Sequence, residues 1–402
     1  MMAPAPVTRD QIFSTEKKIK VTLSTIGKFH TWDLARQLFL RSALAGIFTA
    51  YPWFKLQKEN LPRKLVHTFP WLHAPYMRFP HEIFSEGFIK DWEWLDRYLF
   101  DRYTAFRLPD CHVFSGLSSS ALNTGIKAKL RGAKYVCDRG SSHILFQDRL
   151  LREEFDRHGI RFSGIDRRII EREQAEYEVA DVITVPSTFA LRSFLAEGVQ
   201  EQKMRLIPYG VDMSRFYPVG RPDDRVFDVL FAGMVSVRKG VLDLLRAFDL
   251  FAHPKKRLTI VGSPSAELKD KIHKIESSRA DIRVLGHVPQ SELPQYMSRA
   301  HVMVLPSIEE GLALVQAQAM ACGCPIIAST NTGAEDLFAN GVEGFIVPIR
   351  DPGAIAHSLQ KLADDRQLRE RMSAAALLKV RRIGGWDHYG EQMYRLFCDL
   401  VD

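Results

Sequence analysis

Short runs of apolar and β-branched residues alternate along this chain with longer stretches whose apolar positions recur at helical spacing, the pattern of strands and helices taken in turn. Residues 19–26 (IKVTLSTI) predict a first buried strand, Gly27 a turn, and Trp32 to Leu44 a helix. Further strands are predicted at 45–49, 111–114, 133–137 and 181–185, separated by longer helical segments such as 167–180. From Pro208 to Arg225 the chain is rich in Gly, Pro and Asp and has little periodicity, which marks a linker. A second alternating unit follows, with strands at 227–233, 257–262, 282–285, 302–305, 325–328 and 344–348. Such alternation implies parallel sheets with helices on both faces. The expected fold is α/β, two tandem Rossmann-like doubly wound domains, 1–215 and 222–383, facing a central cleft at the carboxyl ends of their strands. The final segment, 384–402, carries Trp386, Tyr389, Met393 and Leu396 at helical spacing, and such a helix can pack back on the first domain.

Length and composition agree with this plan. A chain of 402 residues exceeds the usual size of one hydrophobic core. Hydrophobic residues at 46% and charged residues at 26% exclude a disordered or collagen-like chain. No apolar run follows the charges of the first 20 residues, and no stretch approaches the roughly 18 apolar residues of a membrane span, so neither leader nor anchor is expected. The cysteines, Cys111, Cys137, Cys322, Cys324 and Cys398, are scattered without the spacing of a zinc site or a disulfide scaffold, which fits a reducing cytoplasm. The net charge of +7 is unevenly placed: residues 1–220 hold 32 Lys and Arg against 25 Asp and Glu, while 23 of each lie beyond. A basic face attracts nucleic acid, anionic lipid or an anionic small molecule, or is simply solvated.

Two clusters carry the candidate chemistry. In PSIEEGLALVQAQAMACGCPIIA (306–328) a strand ends in Pro-Ser, two glutamates follow, and Gly311 is expected to open a helix. Free N–H groups at a helix start, with the positive end of the dipole, suit a diphosphate or sugar oxygens, and Glu310 can accept from sugar hydroxyls. The same acidic pair, Glu309 and Glu310, would also favour a helix N-terminus with no ligand at all. In FAGMVSVRKGVLDLLRAF (231–248) Gly233 ends a strand, and Arg238 and Lys239 precede Gly240 and an amphipathic helix. Two cations beside a glycine turn can neutralise a departing nucleotide diphosphate, though paired surface cations need no ligand.

With EEGLALVQAQAMACGCPIIAS, NTGAEDLFANGVEGFIVPIRDP and IPYGVDMSRFYP in view, the sequence resembles the GT-B glycosyltransferases, specifically the retaining family 4, glycosyl transferases group 1. The resemblance spans nearly the whole chain and is strongest in its second half. It implies an acceptor-binding first domain and a second domain that holds a nucleotide-sugar donor. On this resemblance Glu310 matches the first glutamate of the family's pair, near the transferred sugar. Gln318 stands where the second glutamate holds the ribose, and an amide still accepts and donates there. Lys239 matches the phosphate-binding lysine, Met234 stands where an arginine is frequent, and Arg238 can supply the missing charge. Ala313 replaces a glycine at a backbone-donor position. The implied donor contacts are Gly27, Arg238, Lys239, Glu310, Gly311, Leu312, Ala313, Leu314 and Gln318. In the first domain, Gly27 matches a glycine turn facing the phosphates, with Lys28 and His30 beside it. The stretch DRGSSHILFQDRLLREEF (138–155) matches the place of a histidine or aspartate near the reacting sugar. His143 is the candidate there, with Asp138 and Arg139 as alternatives, so the implied catalytic set is Glu310, Lys239, Arg238 and His143.

The family reading makes the protein a hexosyl- or other glycosyltransferase using a UDP- or GDP-sugar and a glycan, lipid-linked or small-molecule acceptor, with retention of configuration. No Asp-X-Asp triplet occurs, so cations and helix ends rather than a metal are expected to hold the diphosphate, and no cofactor is expected. The replacement by Gln318 keeps open a second class, a binding protein of the same fold with weak or no turnover. The glutamate-to-helix block fits a nucleotide-sugar epimerase poorly, and a phosphorylase would need a much longer chain. The aromatics Trp32, Trp53, Trp71, Trp92 and Trp94 are not interleaved with a dense basic run, so nucleic acid is not expected as a partner. The basic first half and LAGIFTAYPWF (44–54) point to peripheral contact with the inner face of the membrane, or simply to that domain's core.

Overall fold

The computed structural model describes residues 19–79 and 83–402, so the opening segment read above for a leader lies outside the described residues. Seven parallel strands form the first sheet: β1 Val21–Thr25, β2 Leu44–Thr49, β3 Val66–Thr68, β4 Val113–Leu117, β5 Lys134–Asp138, β6 Val182–Val185 and β7 Met204–Leu206. Their order is β3-β2-β1-β4-β5-β6-β7. Six parallel strands form the second: β8 Phe227–Ala232, β9 Lys256–Val261, β10 Ile282–Val284, β11 Val302–Leu305, β12 Ile326–Ser329 and β13 Gly344–Val347, in the order β10-β9-β8-β11-β12-β13. The α/β fold with two tandem doubly wound sheets is the one expected from the alternation. The central strands β1, β6, β11 and β12 are buried along their whole length, as parallel strands covered by helices on both faces must be.

Strands β3 and β7 have no counterpart in the sequence reading. Each is a three-residue edge strand, too short for a periodicity to register. The first helix runs Thr31–Leu40 and stops short of Leu44, because Ser42 turns at φ 57° and the amide of Ala43 closes back on the Leu38 carbonyl before β2 begins. Large apolar side chains fill both halves: Trp32 and Phe114 in the first, Phe231 and Phe248 in the second, all with at most 1% exposure. Each such burial contributes roughly 1.5–3 kcal/mol relative to an exposed side chain.

The chain crosses between the domains twice, and the crossings touch. A Cβ on Gly210 would overlap the backbone of Gly385, and the amide of Val211 donates to the Gly384 carbonyl at 3.3 Å. The helix Trp386–Val401 then lies along Thr31–Leu40 of the first domain. Gly390 meets Gln37 there, and Arg41 pairs with Glu391 at 3.1 Å.

Strand order reverses between β1 and β4 in one sheet and between β8 and β11 in the other. Loops leaving neighbouring strands at such a point diverge, which opens a crevice at their carboxyl ends. A cleft of about 1200 Å³ between the domains is lined from these loops.

Candidate functional site

The second domain's half of the site is built by the loops after β8 and β11. Gly240, at φ 68°, ends the first of them, and a Cβ there would overlap the Pro306 carbonyl. Only glycine allows the two loops this approach, and the amide of Ile308 ties them by donating to the Arg238 carbonyl at 2.8 Å. The result sets Arg238 and Lys239 beside Glu309 and Glu310. Lys239 Nζ pairs with Glu310 Oε1, which also accepts from Ser307 Oγ at 3.1 Å. Arg238 Nη2 lies 2.7 Å from Glu309 Oε2, and its Nε donates to the Glu309 carbonyl at 3.1 Å.

The helix expected to start at Gly311 starts at Leu314. The three residues between are held extended by the segment after β12. The Glu310 amide donates to the Asn331 carbonyl at 3.1 Å and the Ala313 amide to the Thr332 carbonyl at 3.2 Å. The Ala313 amide, expected to face a ligand, is therefore occupied within the protein. Gly311 instead abuts the first domain: a Cβ on it would overlap the Gly140 carbonyl, and its own carbonyl accepts from Ser187 Oγ at 2.5 Å. Leu312 and Ala313 are buried at this seam, whereas Leu314, Gln318 and Arg238 line the cleft.

From the first domain, the turn after β1 contributes Lys28, Phe29 and His30 to the cleft. Gly27 shapes this turn, its carbonyl accepting from Trp32 Nε1 at 3.4 Å, while Lys28 pairs with Glu59. His30 Nε2 lies 2.6 Å from Asp138 Oδ2 at the end of β5, and the imidazole stacks on Tyr209 with ring centres 4.2 Å apart. Thr184 Oγ1 donates to the other Asp138 oxygen at 3.0 Å. Arg139 also lines the cleft but is engaged, with Glu173 at 2.7 Å and Gln147 at 2.9 Å; burial opposes its charge, yet Glu173 and its other anionic neighbours raise its pKa.

His143 does not reach the cleft. It is the N-cap of the helix Ile144–Arg157, with Nδ1 accepting from the Leu145 amide at 3.3 Å, and it is buried against Tyr177 and Phe194. Burial lowers its pKa to about 4, and its ring caps the helix instead of lining the cleft. Of the residues in the same stretch, Asp138 instead reaches the cleft wall through His30, which lines the cleft. The two come from segments 108 residues apart, and no local pattern joins them.

Glu309 is the other residue whose place the sequence does not reveal. It is fully buried between the domains and accepts from Ser141 Oγ at 2.8 Å, the Ser142 amide at 3.0 Å, Ser142 Oγ at 2.7 Å and Gln147 Nε2 at 2.8 Å. Burial acts to raise its pKa, but Arg238 and the Ser142 and Ser141 hydrogen bonds outweigh that and hold it at about 2. Further ties flank it: Arg157 to Asp243 at 2.8 and 2.9 Å, Arg350 to Glu154 at 2.7 Å, and Thr188 to Asp336 at 2.8 and 2.6 Å.

Residues 217–378 match the family model described as glycosyl transferases group 1. The D-inositol 3-phosphate glycosyltransferase of Thermomonospora curvata is 27% identical over 232 residues, 51% of this chain and 53% of that protein. Its counterpart in Streptomyces avermitilis is 31% identical over 207 residues, 46% of this chain and 44% of that protein. The chain thus spans about half the length of the curated relatives it matches. Among solved structures, sucrose-phosphate synthase from Thermosynechococcus elongatus superposes with a TM-score of 0.73 at 21% identity, over 95% of this chain and 99% of that one. Anabaena HepE in complex with UDP and glucose superposes with a TM-score of 0.70 at 16% identity, over 94% and 99%. These structures share the fold, two facing Rossmann-like domains of the GT-B type. The match to the glycosyl transferases group 1 model falls on the domain that supplies Arg238, Lys239, Glu310 and Gln318.

Proposed function

We propose that this protein is a glycosyltransferase that moves a hexose from a UDP- or GDP-sugar to a glycan, lipid-linked or small-molecule acceptor, with retention and without a metal. The observation that carries the reading is the convergence of Arg238, Lys239 and Glu310 from two switch-point loops, with Arg238 lining the same cleft as Gln318 and as His30, the partner of Asp138. Charge grows on the diphosphate as the glycosidic bond breaks, and preorganised cations stabilise that charge more in the transition state than in the ground state. Lys239 and Arg238 are assigned this work. Glu310 is assigned to sugar hydroxyls, Gln318 to the ribose, and the amides at the start of the Leu314–Ala321 helix to phosphate oxygens. The acceptor enters from the first domain and attacks on the face the diphosphate leaves. UDP and UDP-glucose in the HepE structures support a nucleotide-sugar donor, and the names of the curated relatives support glycosyl transfer.

Contact with a membrane belongs to the same proposal. Trp71, Met77 and Phe88 are 75%, 60% and 49% exposed, close in sequence to Lys55, Lys58, Arg63, Lys64 and Arg78. Aromatic and basic residues together suit an anionic lipid surface. No helix among the described residues is long and apolar enough to cross a membrane.

A second reading, nucleotide binding without turnover, is favoured by Gln318 in place of a carboxylate. One experiment separates the two. Purified protein is screened against UDP-, GDP- and ADP-sugars by thermal shift, since a ligand bound only by the folded state raises the apparent melting temperature. The stabilising donor is then assayed for transfer and hydrolysis with and without EDTA. Transfer that survives EDTA and is lost in Glu310→Ala and Lys239→Ala is expected. Stabilisation with no turnover selects the second reading, and no stabilisation by any sugar nucleotide defeats both.

A further inference from the structure

We propose that Glu309 is a positioning residue that couples closure of the two domains to the placement of Arg238. This rests on the glycosyltransferase reading for its consequence, though not for its geometry. Glu309 belongs to the second domain, yet its four hydrogen-bond donors, from Ser141, Ser142 and Gln147, all belong to the first. Its own domain supplies the cation: Arg238 Nη2 at 2.7 Å, which also donates to Ser141 Oγ at 3.2 Å. Closure strips water from this carboxylate, and the four donors of the first domain replace that hydration, so these bonds exist only while the domains meet. Closure also fixes the guanidinium of Arg238, which stays part-exposed, at the cleft wall.

The neighbouring backbone makes the same point independently. Gly140 and Gly311 face each other so closely that a side chain on Gly311 would overlap the Gly140 carbonyl. Two backbones meeting where no Cβ fits leave the carboxylate of Glu309 level with the Ser141–Ser142 turn. That turn directly follows Asp138 and Arg139, which line or support the cleft. Domain contact at Glu309 therefore orders both walls of the site at once: Arg238 on one side, the loop after β5 on the other.

Hydrogen exchange of the Ser142 amide reports the contact without any activity, because that amide donates to Glu309 across the seam. In wild-type protein the peptide over residues 141–143 should be protected. In Glu309→Gln its exchange should accelerate by about tenfold or more, the usual worth of a hydrogen bond to a charged group. Gly311→Ala, which keeps the carboxylate and props the seam open, should have the same effect and carries the test if Glu309→Gln fails to fold. Small-angle scattering should give both variants a larger radius of gyration. For transfer, both should lose kcat by a larger factor than they lose nucleotide affinity, because Lys239 and the rest of the second domain still hold the nucleotide. Unchanged protection and unchanged radius in the folded variants would overturn the proposal. So would a loss of nucleotide affinity with kcat intact. If wild-type protein transfers no sugar, the glycosyltransferase reading fails while exchange and scattering still decide the coupling.

Discussion

His30 and Asp138 meet at 2.6 Å across the switch point of the first sheet, one from the turn after β1 and the other from the end of β5. Tyr209 covers the imidazole on one face, and Tyr389 of the returning C-terminal helix approaches its edge at 6.2 Å. The pair is thus oriented by the first domain, the interdomain strand of chain and the final helix together.

This orientation predicts that His30→Ala and Asp138→Asn lower kcat by about a hundredfold to a thousandfold, the range for loss of one preorganised polar contact to a reacting group. Nucleotide affinity, held by the opposite domain, should change little. His143→Ala should behave differently, costing about 1 kcal/mol of stability through the lost cap and leaving kcat near wild type. Rates and thermal melts of the three variants check this; a kcat defect in His143→Ala larger than in His30→Ala would reverse the assignment.

Gln318 faces the cleft one helical turn beyond Leu314. A carboxylate accepts two hydroxyls at once where an amide offers one acceptor and one donor. Gln318→Glu should therefore bind the free nucleotide diphosphate about tenfold more tightly, by calorimetry, on the scale of one charge-assisted hydrogen bond of about 1.5 kcal/mol net. Weaker binding would mean that the residue does not face the ribose.

Acid should open the seam through Glu309. Its folded pKa of about 2 lies below the ordinary 4.5, so its contribution to stability is present above about pH 4.5 and is lost as pH falls toward 2. His143, lowered from 6.5 to about 4 by burial, stays neutral in the folded protein between those values while the unfolded chain takes up the proton, so stability falls as pH drops from about 6.5 to about 4. Thermal melts from about pH 7 to about pH 3 should fall in parallel for wild type and Glu309→Gln until about pH 4.5, and only wild type should then fall more steeply. Parallel curves to the end would refute this.

Local signals were legible wherever a rule spans one element. Gly240 and Gly233 marked the end of a strand and the start of a helix, and the Arg238–Lys239 pair was visible between them. The helix after β11 was misplaced by three residues because its start depends on Asn331 and Thr332, which hold Glu310 and Ala313 extended from another strand. A histidine preceding a helical stretch reads the same whether its ring caps the helix or faces a ligand; burial against Tyr177 and Phe194 decided for His143.

By itself the sequence determined the two α/β halves, the linker near residues 208–225, and the cluster Arg238, Lys239, Glu310 and Gln318. These follow from periodicity, from glycine's backbone freedom and from spacing within single strand–loop–helix units. Only the tertiary structure decided how the halves meet: that His30 reaches Asp138, that Gly311 abuts Gly140, and that Glu309 is anchored in the other domain. Those contacts join residues more than a hundred positions apart, and their energies come from burial and charge pairing that exist only when both sheets are in place.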